Sequence, residues 1–209
     1  GRSDGTVRVR DARTGDLIKT FQAHNREVTS LLLLPDGRMV TGDGAGEVAI
    51  WSAIQDGCQE LNRVAVLTYD VGSLAVSPNG RLLAVGGNWG DLVIQLWDLV
   101  ENRLHQTLTG HQGHSYAVTF SRDGQQLICG SRDSYLTCWD VPTGKMVRRQ
   151  RAHSGSVFGA SLSPNGRRLA TCRDDGTVKE WDEKTGMEVI TLKPAPGERP
   201  AVPFTPNGE

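Results

Sequence analysis

The sequence predicts an all-β chain in which one four-stranded antiparallel unit recurs along its length. Turns of the form Pro-Asp/Asn-Gly (once Arg-Asp-Gly) place glycines at 37, 80, 124, 166 and 208, a spacing of 42 to 44 residues. Tryptophans at strand ends stand at 51, 97, 139 and 181, and Arg10 fills the same slot ahead of them. The 25 glycines are scattered rather than clustered, as many tight turns between short strands require.

The elements follow in order. Gly1–Asp11, "GRSDGTVRVRD", aligns with "CRDDGTVKEWD" at Cys172–Asp182, so residues 1–24 are expected to be a partial repeat that begins inside a hairpin. Full repeats are expected at about 25–67, 68–111, 112–153 and 154–195, with a partial repeat at 196–209. Each period reads as four strands: one before the Pro-x-Gly turn, one after it, one ending at the Trp slot, and one beyond the next turn. "YLTCWD" (Tyr135–Asp140) and "TVKEWD" (Thr177–Asp182) alternate, and "RRLATC" (Arg167–Cys172) is an apolar run of strand formers. No stretch keeps the 3.6-residue period of an amphipathic helix. A period of roughly 40–45 residues with four strands is the signature of a β-propeller blade.

Bulk properties narrow the function. Lys and Arg number 23 and Asp and Glu 24, a net charge of −1, so no global field steers the chain onto nucleic acid or an anionic membrane. No apolar run reaches the roughly 20 residues a membrane helix needs, and no secretory signal pattern is read at the start. Four cysteines (Cys58, Cys129, Cys138, Cys172) without a C-x-x-C pair fit a reducing, cytoplasmic setting. No phosphate-binding glycine loop, G-x-S-x-G or H-E-x-x-H motif is found. The expectation is therefore a non-enzymatic chain with no cofactor, no metal and no small-molecule substrate.

Further residues carry a family resemblance. "WD" stands at 97–98, 139–140 and 181–182, "GH" at 110–111, and "AH" at 23–24 and 152–153. A turn Asp lies six residues before Trp at Asp91, Asp133 and Asp175. With these the chain resembles the WD-repeat family over essentially its whole length. The resemblance implies a propeller that is open here, about four to five blades of a seven-bladed parent. It also implies a buried hydrogen-bond chain in each blade, running from loop His to turn Asp, strand Ser/Thr and Trp indole. His153, Asp175, Thr171 and Trp181 match it fully. His111, Asp133 and Trp139 match with Cys129 in the hydroxyl slot. The first repeat keeps His24, Thr41 and Trp51, with Ala45 in the Asp slot and Ser52 after Trp51. The second has Leu67 and Val85 where His and the hydroxyl would stand, and is expected to rely on apolar packing and to be the least rigid.

The resemblance also implies three outward positions per blade on one face: Glu27, Thr29 and Gly44; Asp70, Gly72 and Gly90; His114, Tyr116 and Arg132; Ser156, Phe158 and Asp174; and Ser3 ahead of them. Tyr116 and Phe158 share one slot of adjacent blades, with Arg132 and His114 nearby, and Tyr and Arg are enriched at binding hot spots. Trp89, in "GGNWGD", has no repeat-level role and lies in an extended turn. Trp89, Tyr116, Phe158, Arg132, His114 and Asp174 are thus candidate partner-binding residues. The alternative is that Trp89 folds onto its own blade and the other aromatics plug the channel mouth.

Three other constellations weigh less. His111-x-x-His114 with His105 has metal-like spacing, but the blade already claims His111. Cys129 and Cys138 flank a hairpin almost symmetrically and are expected to face each other as thiols. "KMVRRQRAH" (Lys145–His153) is basic but falls on an outermost strand, where such residues guard an edge. The reading is a scaffold that presents loops to a protein or peptide. The alternatives are a regulatory segment of a larger protein carrying a kinase or nucleotide-binding ATPase module, or an enzymatic propeller.

Overall fold

The computed structural model describes residues 3–88 and 90–193, and in them the chain is built of strands. A two-stranded ribbon comes first, β1 (Thr6–Arg10) and β2 (Leu17–Gln22). Four four-stranded antiparallel sheets follow, each in chain order from inside to outside. The first blade holds β3 (Val28–Leu33), β4 (Met39–Asp43), β5 (Glu47–Trp51) and β6 (Glu60–Ala65). The second holds β7 (Val71–Val76), β8 (Leu82–Gly87), β9 (Ile94–Asp98) and β10 (Arg103–Leu108). The third holds β11 (Ser115–Phe120), β12 (Gln126–Ser131), β13 (Tyr135–Asp140) and β14 (Met146–Arg151). The fourth holds β15 (Val157–Leu162), β16 (Arg168–Arg173), β17 (Val178–Asp182) and β18 (Glu188–Leu192). The inner strands β3, β7, β11 and β15 lie against one another in sequence, which makes the sheets a fan of propeller blades. No sheet closes on itself among the described residues. The partial repeat expected at 196–209 lies outside them, as does Trp89.

The recurrent turns have a local cause. Asn79 Oδ1 accepts the Arg81 N–H (3.0 Å) and the Ser77 hydroxyl (2.7 Å), and Ser77 Oγ accepts the Leu82 N–H (2.8 Å). Asp123 and Asn165 repeat this scheme with Ser121 and Ser163. One side-chain oxygen thus mimics a backbone turn partner, and the glycine after it takes positive φ, 72° at Gly80 and 73° at Gly166. The Asp of Trp-Asp caps the next turn. Asp98 Oδ1 accepts the N–H groups of Val100 and Glu101, both at 2.9 Å, and Asp140 and Asp182 accept those of Thr143 and Thr185. Ser52 replaces this Asp in the first blade, and there the connection takes a short 3-10 turn at Ile54–Asp56.

The core sits in the seams between blades. One apolar cluster joins the ribbon to the first blade through Val7, Ala23, Met39 and Trp51. A second joins the first and second blades through Val40, Ile50, Val71 and Val85. A third joins the second and third through Ile94, Leu96, Leu127 and Trp139. A fourth joins the third and fourth through Ile128, Leu136, Leu169 and Trp181. Each seam buries large side chains worth about 1.5–3 kcal/mol apiece, so each blade depends on its neighbours.

Every inner strand carries the same irregularity near its start. The register shifts between Val28 and Ser30, Val71 and Ser73, Ser115 and Ala117, and Val157 and Gly159. Residues 29, 72, 116 and 158 are the extra residues, and a bulge re-aims the side chain it carries.

Candidate functional site

The recurrent His, Asp, Thr and Trp are blade fittings, each differently completed. In the fourth blade His153 Nε2 lies 2.8 Å from Thr171 Oγ1, which accepts the Trp181 indole N–H at 2.9 Å. Asp175 accepts the Thr177 N–H (2.9 Å) and pairs with Arg173 (3.0 Å), so it acts on His153 by its charge. Burial dominates over that charge and pulls the His153 pKa down to about 4, with Lys179 adding to the fall. In the first blade His24 Nε2 lies 2.7 Å from Thr41 Oγ1, which accepts the Trp51 indole at 2.8 Å. The carboxylate there comes from Asp43, 3.3 Å from His24 Nδ1, two residues before the slot that holds Ala45. Asp43 Oδ1 also accepts the Ala45 and Glu47 N–H groups, so it takes over the turn as well.

The third blade departs from the continuous chain expected for His111, Asp133 and Trp139. His111 Nε2 turns to Ser115 Oγ at 3.0 Å, and Trp139 donates to the Thr109 carbonyl at 3.1 Å. His111 Nδ1 has no hydrogen-bond partner among the described residues, while Asp133 is held by Ser131, the Tyr135 N–H and Arg149. With Cys129 in the hydroxyl slot, no strong acceptor links the imidazole to the indole. The second blade uses Gln95: its Oε1 accepts the Trp97 indole (2.9 Å) and its Nε2 donates to the Val66 carbonyl (2.7 Å). Leu67 and Val85 are buried in the adjoining seam. Asp91 keeps a loop role, accepting the Thr68 and Tyr69 N–H groups at 2.8 and 2.9 Å.

The sequence pattern alone missed Gln95, Asp43 and Ser115. A Gln two residues before Trp97 and a His four residues before Ser115 were the available signals.

The outward face is built at the bulges. Tyr116 and Phe158, one on each of two adjacent inner strands, stack with ring centroids 4.8 Å apart and planes 18° apart. Phe158 is 46% exposed and Tyr116 is half-buried. His114 meets Tyr116 edge-on at 6.0 Å. Burial lowers the His114 pKa, and the Arg132 charge lowers it further, which places that cation beside the imidazole. Arg132 is exposed; its N–H donates to the His114 carbonyl (3.0 Å), and its own carbonyl accepts the Ser156 hydroxyl (3.3 Å). Asp174 is exposed and paired with Arg173 at 3.1 Å. The face thus gathers Tyr116, Phe158, His114 and Arg132 across the third and fourth blades, with Asp174 on the rim. In the first blade Thr29 turns back, its hydroxyl donating to the Val71 carbonyl at 2.8 Å.

Other constellations resolve differently. Cys129 pairs with Thr137 and Cys138 with Ile128, so the two thiols lie on opposite faces of the sheet and do not face each other. The hairpin is offset by one residue from the symmetric register, and with a side-chain period of two that sends them apart. All four cysteines are free and buried. His111 and His114 serve different neighbours, and His105 is exposed on β10. His24, Asp43 and Glu47 have metal-like proximity, within 4.8 Å. A cation already stands there: Arg63 Nη1 lies 3.0 Å from His24 Nδ1 and 3.2 Å from Glu47. The basic β14 is engaged within its own neighbourhood, with Arg149 stacked over Tyr135 at 3.7 Å, Arg148 on the Glu183 carbonyl and Arg151 on the His153 carbonyl. Among the described residues no helix is long and apolar enough to cross a membrane.

Comparison with known proteins agrees with the blades. The model of the WD domain, G-beta repeat, matches residues 15–52, 62–98, 102–140 and 144–182. Each match runs from an outer strand through the first three strands of the next blade. A guanine nucleotide-binding protein subunit beta of Oryza sativa subsp. indica is 31% identical over 147 residues, covering 65% of this chain and 38% of that protein. Human WD repeat-containing protein 55 is 31% identical over 131 residues, covering 62% and 33%. Rat transducin beta-like protein 3 is 32% identical over 124 residues, covering 58% and 15%. The chain therefore spans well under half the length of these relatives. Four repeat matches on four observed blades, joined by the Trp-Asp turns and the His–Thr–Trp links, establish that this chain belongs to the WD-repeat family.

Proposed function

We propose that the chain is a non-enzymatic interaction scaffold, working in the cytoplasm, whose bulge-bearing face receives a protein or peptide. The observation that carries this is the Tyr116–Phe158 stack. Two aromatic rings stand at the same bulge of adjacent blades, one of them nearly half exposed, beside Arg132 and His114. Aromatic side chains lose little conformational entropy on binding and supply large contact area, and arginine adds directed donors. The buried histidines are bonded inside the blades and held below their ordinary pKa by burial, which supports a structural task for them rather than acid–base work. The relatives include one named as a subunit, which fits a chain that works by association. Their greater length also fits the reading of these blades as a segment of a larger protein.

The test is selection of binders from a random-peptide phage library on the immobilised chain. Selected peptides are then titrated against wild type and a Tyr116→Ala/Phe158→Ala variant. The variant is expected to keep the wild-type circular dichroism and to bind at least ~30-fold more weakly, the loss of about 2 kcal/mol typical of a hot spot. Selected peptides that bind the variant as tightly as wild type would overturn the assignment.

A further inference from the structure

The two flanks of the fan depart from the seams inside it, and in opposite senses. At each seam the residue just before one blade's Trp slot packs with the Trp of the next blade. Val9 shares a cluster with Trp51, Ile50 with Trp97, Leu96 with Trp139 and Cys138 with Trp181. The residue paired with it on the outermost strand reaches the next blade's turn. Lys19 donates to the Gly57 carbonyl, Asn62 to the Asn102 side chain and Arg148 to the Glu183 carbonyl at 3.1 Å, and Gln106 lies against Gly144. Two residues after Arg148, Gln150 donates to the Gly186 carbonyl at 2.8 Å. An internal seam therefore sets an apolar side chain against a Trp and polar outer side chains against the next turn.

The fourth blade reverses this on its far face. Glu180 holds the apolar slot before Trp181, Ile190 stands opposite it in place of Arg148, and Leu192 replaces Gln150. Ile190 is 45% and Leu192 53% exposed. The ribbon on the other flank is altered to match. Its Trp slot holds Arg10, exposed, with exposed Arg8 two residues earlier on the same face. Arg10 Nη1 donates to the Gly15 carbonyl at 2.8 Å. Gly15 has the turn position of Gly186, so the carbonyl that elsewhere takes a donor from the preceding blade is here served from within the ribbon. Leu17, paired with Arg10 across the ribbon, is exposed, whereas Met146 in that slot packs into a seam. Charge divides the same way. Residues 6–22 carry four cations and two acids, and residues 178–192 carry four acids and two cations. Glu180 and Asp182 both pair with Arg168, at 2.9 Å each, which leaves these two carboxylates one charge in excess.

We infer that the fan associates head to tail with a second copy of this chain, the ribbon of one copy packing on the far face of the other's fourth blade. Arg10 then meets Glu180, Arg8 lies over the same acidic face, and Leu17 covers Ile190 and Leu192. An ordinary further blade fits that face less well. Its Trp would be set against the Glu180 carboxylate, and its turn carbonyls against Ile190 and Leu192, which have no donor to offer. The contact joins two different surfaces, so copies add as a ring or a row. It is independent of the aromatic face, because Tyr116 and Phe158 stand on inner strands and the ribbon and β17–β18 are outer ones.

The test is sedimentation equilibrium of the intact chain. The average mass should climb from one copy to at least two between ~1 and ~200 µM, and climb less in ~0.5 M than in ~0.05 M salt. Arg10→Glu and Glu180→Arg should each weaken association at least ~10-fold with unchanged circular dichroism. Mixed together, the two variants should associate as wild type does, because every contact between them then joins opposite charges. Tyr116→Ala/Phe158→Ala should also associate as wild type does. A chain that stays monomeric throughout, charge-reversed variants that associate undiminished, a mixture no stronger than its components, or loss of association in the aromatic variant would each overturn the inference.

Discussion

Thr171 is the sharpest place to test how these blades are held together. Its hydroxyl is fully buried and serves both His153 Nε2 at 2.8 Å and the Trp181 indole at 2.9 Å. Thr171→Val keeps shape and volume but strands both partners, each also buried. An unsatisfied buried polar group costs about 1–3 kcal/mol, so the substitution should cost roughly 2–5 kcal/mol. The second blade shows how the penalty can be removed, because it has Val85 at this position and uses Gln95 to hold its Trp. Transplanting that set as His153→Leu/Thr171→Val/Lys179→Gln should restore stability to within about 1–2 kcal/mol of wild type, since no buried donor is then left unpaired. Urea unfolding reads the effect: with a slope of about 2–3 kcal/mol/M, a loss of ~3 kcal/mol moves the midpoint by about 1–1.5 M. Hydrogen exchange over β16 and β17 assigns the loss to the fourth blade. The reasoning fails if the single variant shifts the midpoint by less than ~0.3 M, or if the triple variant is no more stable than the single one.

Other outcomes follow from the same geometry. His153, His24 and His111 all have folded pKa values below the unfolded value, so the unfolded state binds more protons as pH falls. Stability should then be full above about pH 6.5 and decline toward about pH 4, where His153 itself titrates, and His153→Leu should flatten the decline as read by urea midpoints across that window. Burial raises the Cys129 thiol to about 12 and the Cys138 thiol to about 11, so both should react with a thiol reagent only as fast as the blade opens; oxidation of the native chain should yield no Cys129–Cys138 disulfide by mass spectrometry. Gln95→Leu should leave the Trp97 indole unpaired in a half-buried site and cost about 1 kcal/mol, with faster exchange in the second blade than in the third.

What could be read from the chain beforehand is what local chemistry dictates. Asn79, Asp123 and Asn165 each bond within two residues of themselves, so the turns and their period show in one dimension. The Trp slot shows for the same reason, through the Asp that caps the turn after it. The completion of each polar link is settled across strands. Asp43 replaces a missing Asp from two residues away, and Gln95 reaches back to Val66, 29 residues earlier. The Cys129/Cys138 expectation missed by a single step of register, which no local feature of the hairpin fixes. For the aromatic face, Tyr116 and Phe158 were legible as one slot used twice, while their stacking depends on the spacing of β11 and β15. That Arg122 and Glu183, far apart in sequence, line one groove shows only in the folded chain.

The bulge at the head of each inner strand has a consequence for how such a chain can change. Residues 29, 72, 116 and 158 are outside the ladder pairing, yet two of these seats are tied down: the Thr29 hydroxyl reaches the Gly42 carbonyl across the sheet (3.2 Å) and the Val71 carbonyl of the next blade (2.8 Å), and a Cβ at Gly72 would stand 2.7 Å from the Ser115 carbonyl oxygen. Thr, Gly, Tyr and Phe occupy these seats in turn, from small on one flank to bulky on the other. At Tyr116 and Phe158, whose rings meet each other rather than a ladder partner, substitution rewrites the surface at little expense to the strands beneath. A library varied at residues 116 and 158 would explore recognition while leaving register untouched, with the third and fourth blades each acting as a tile that carries one letter of a composite address.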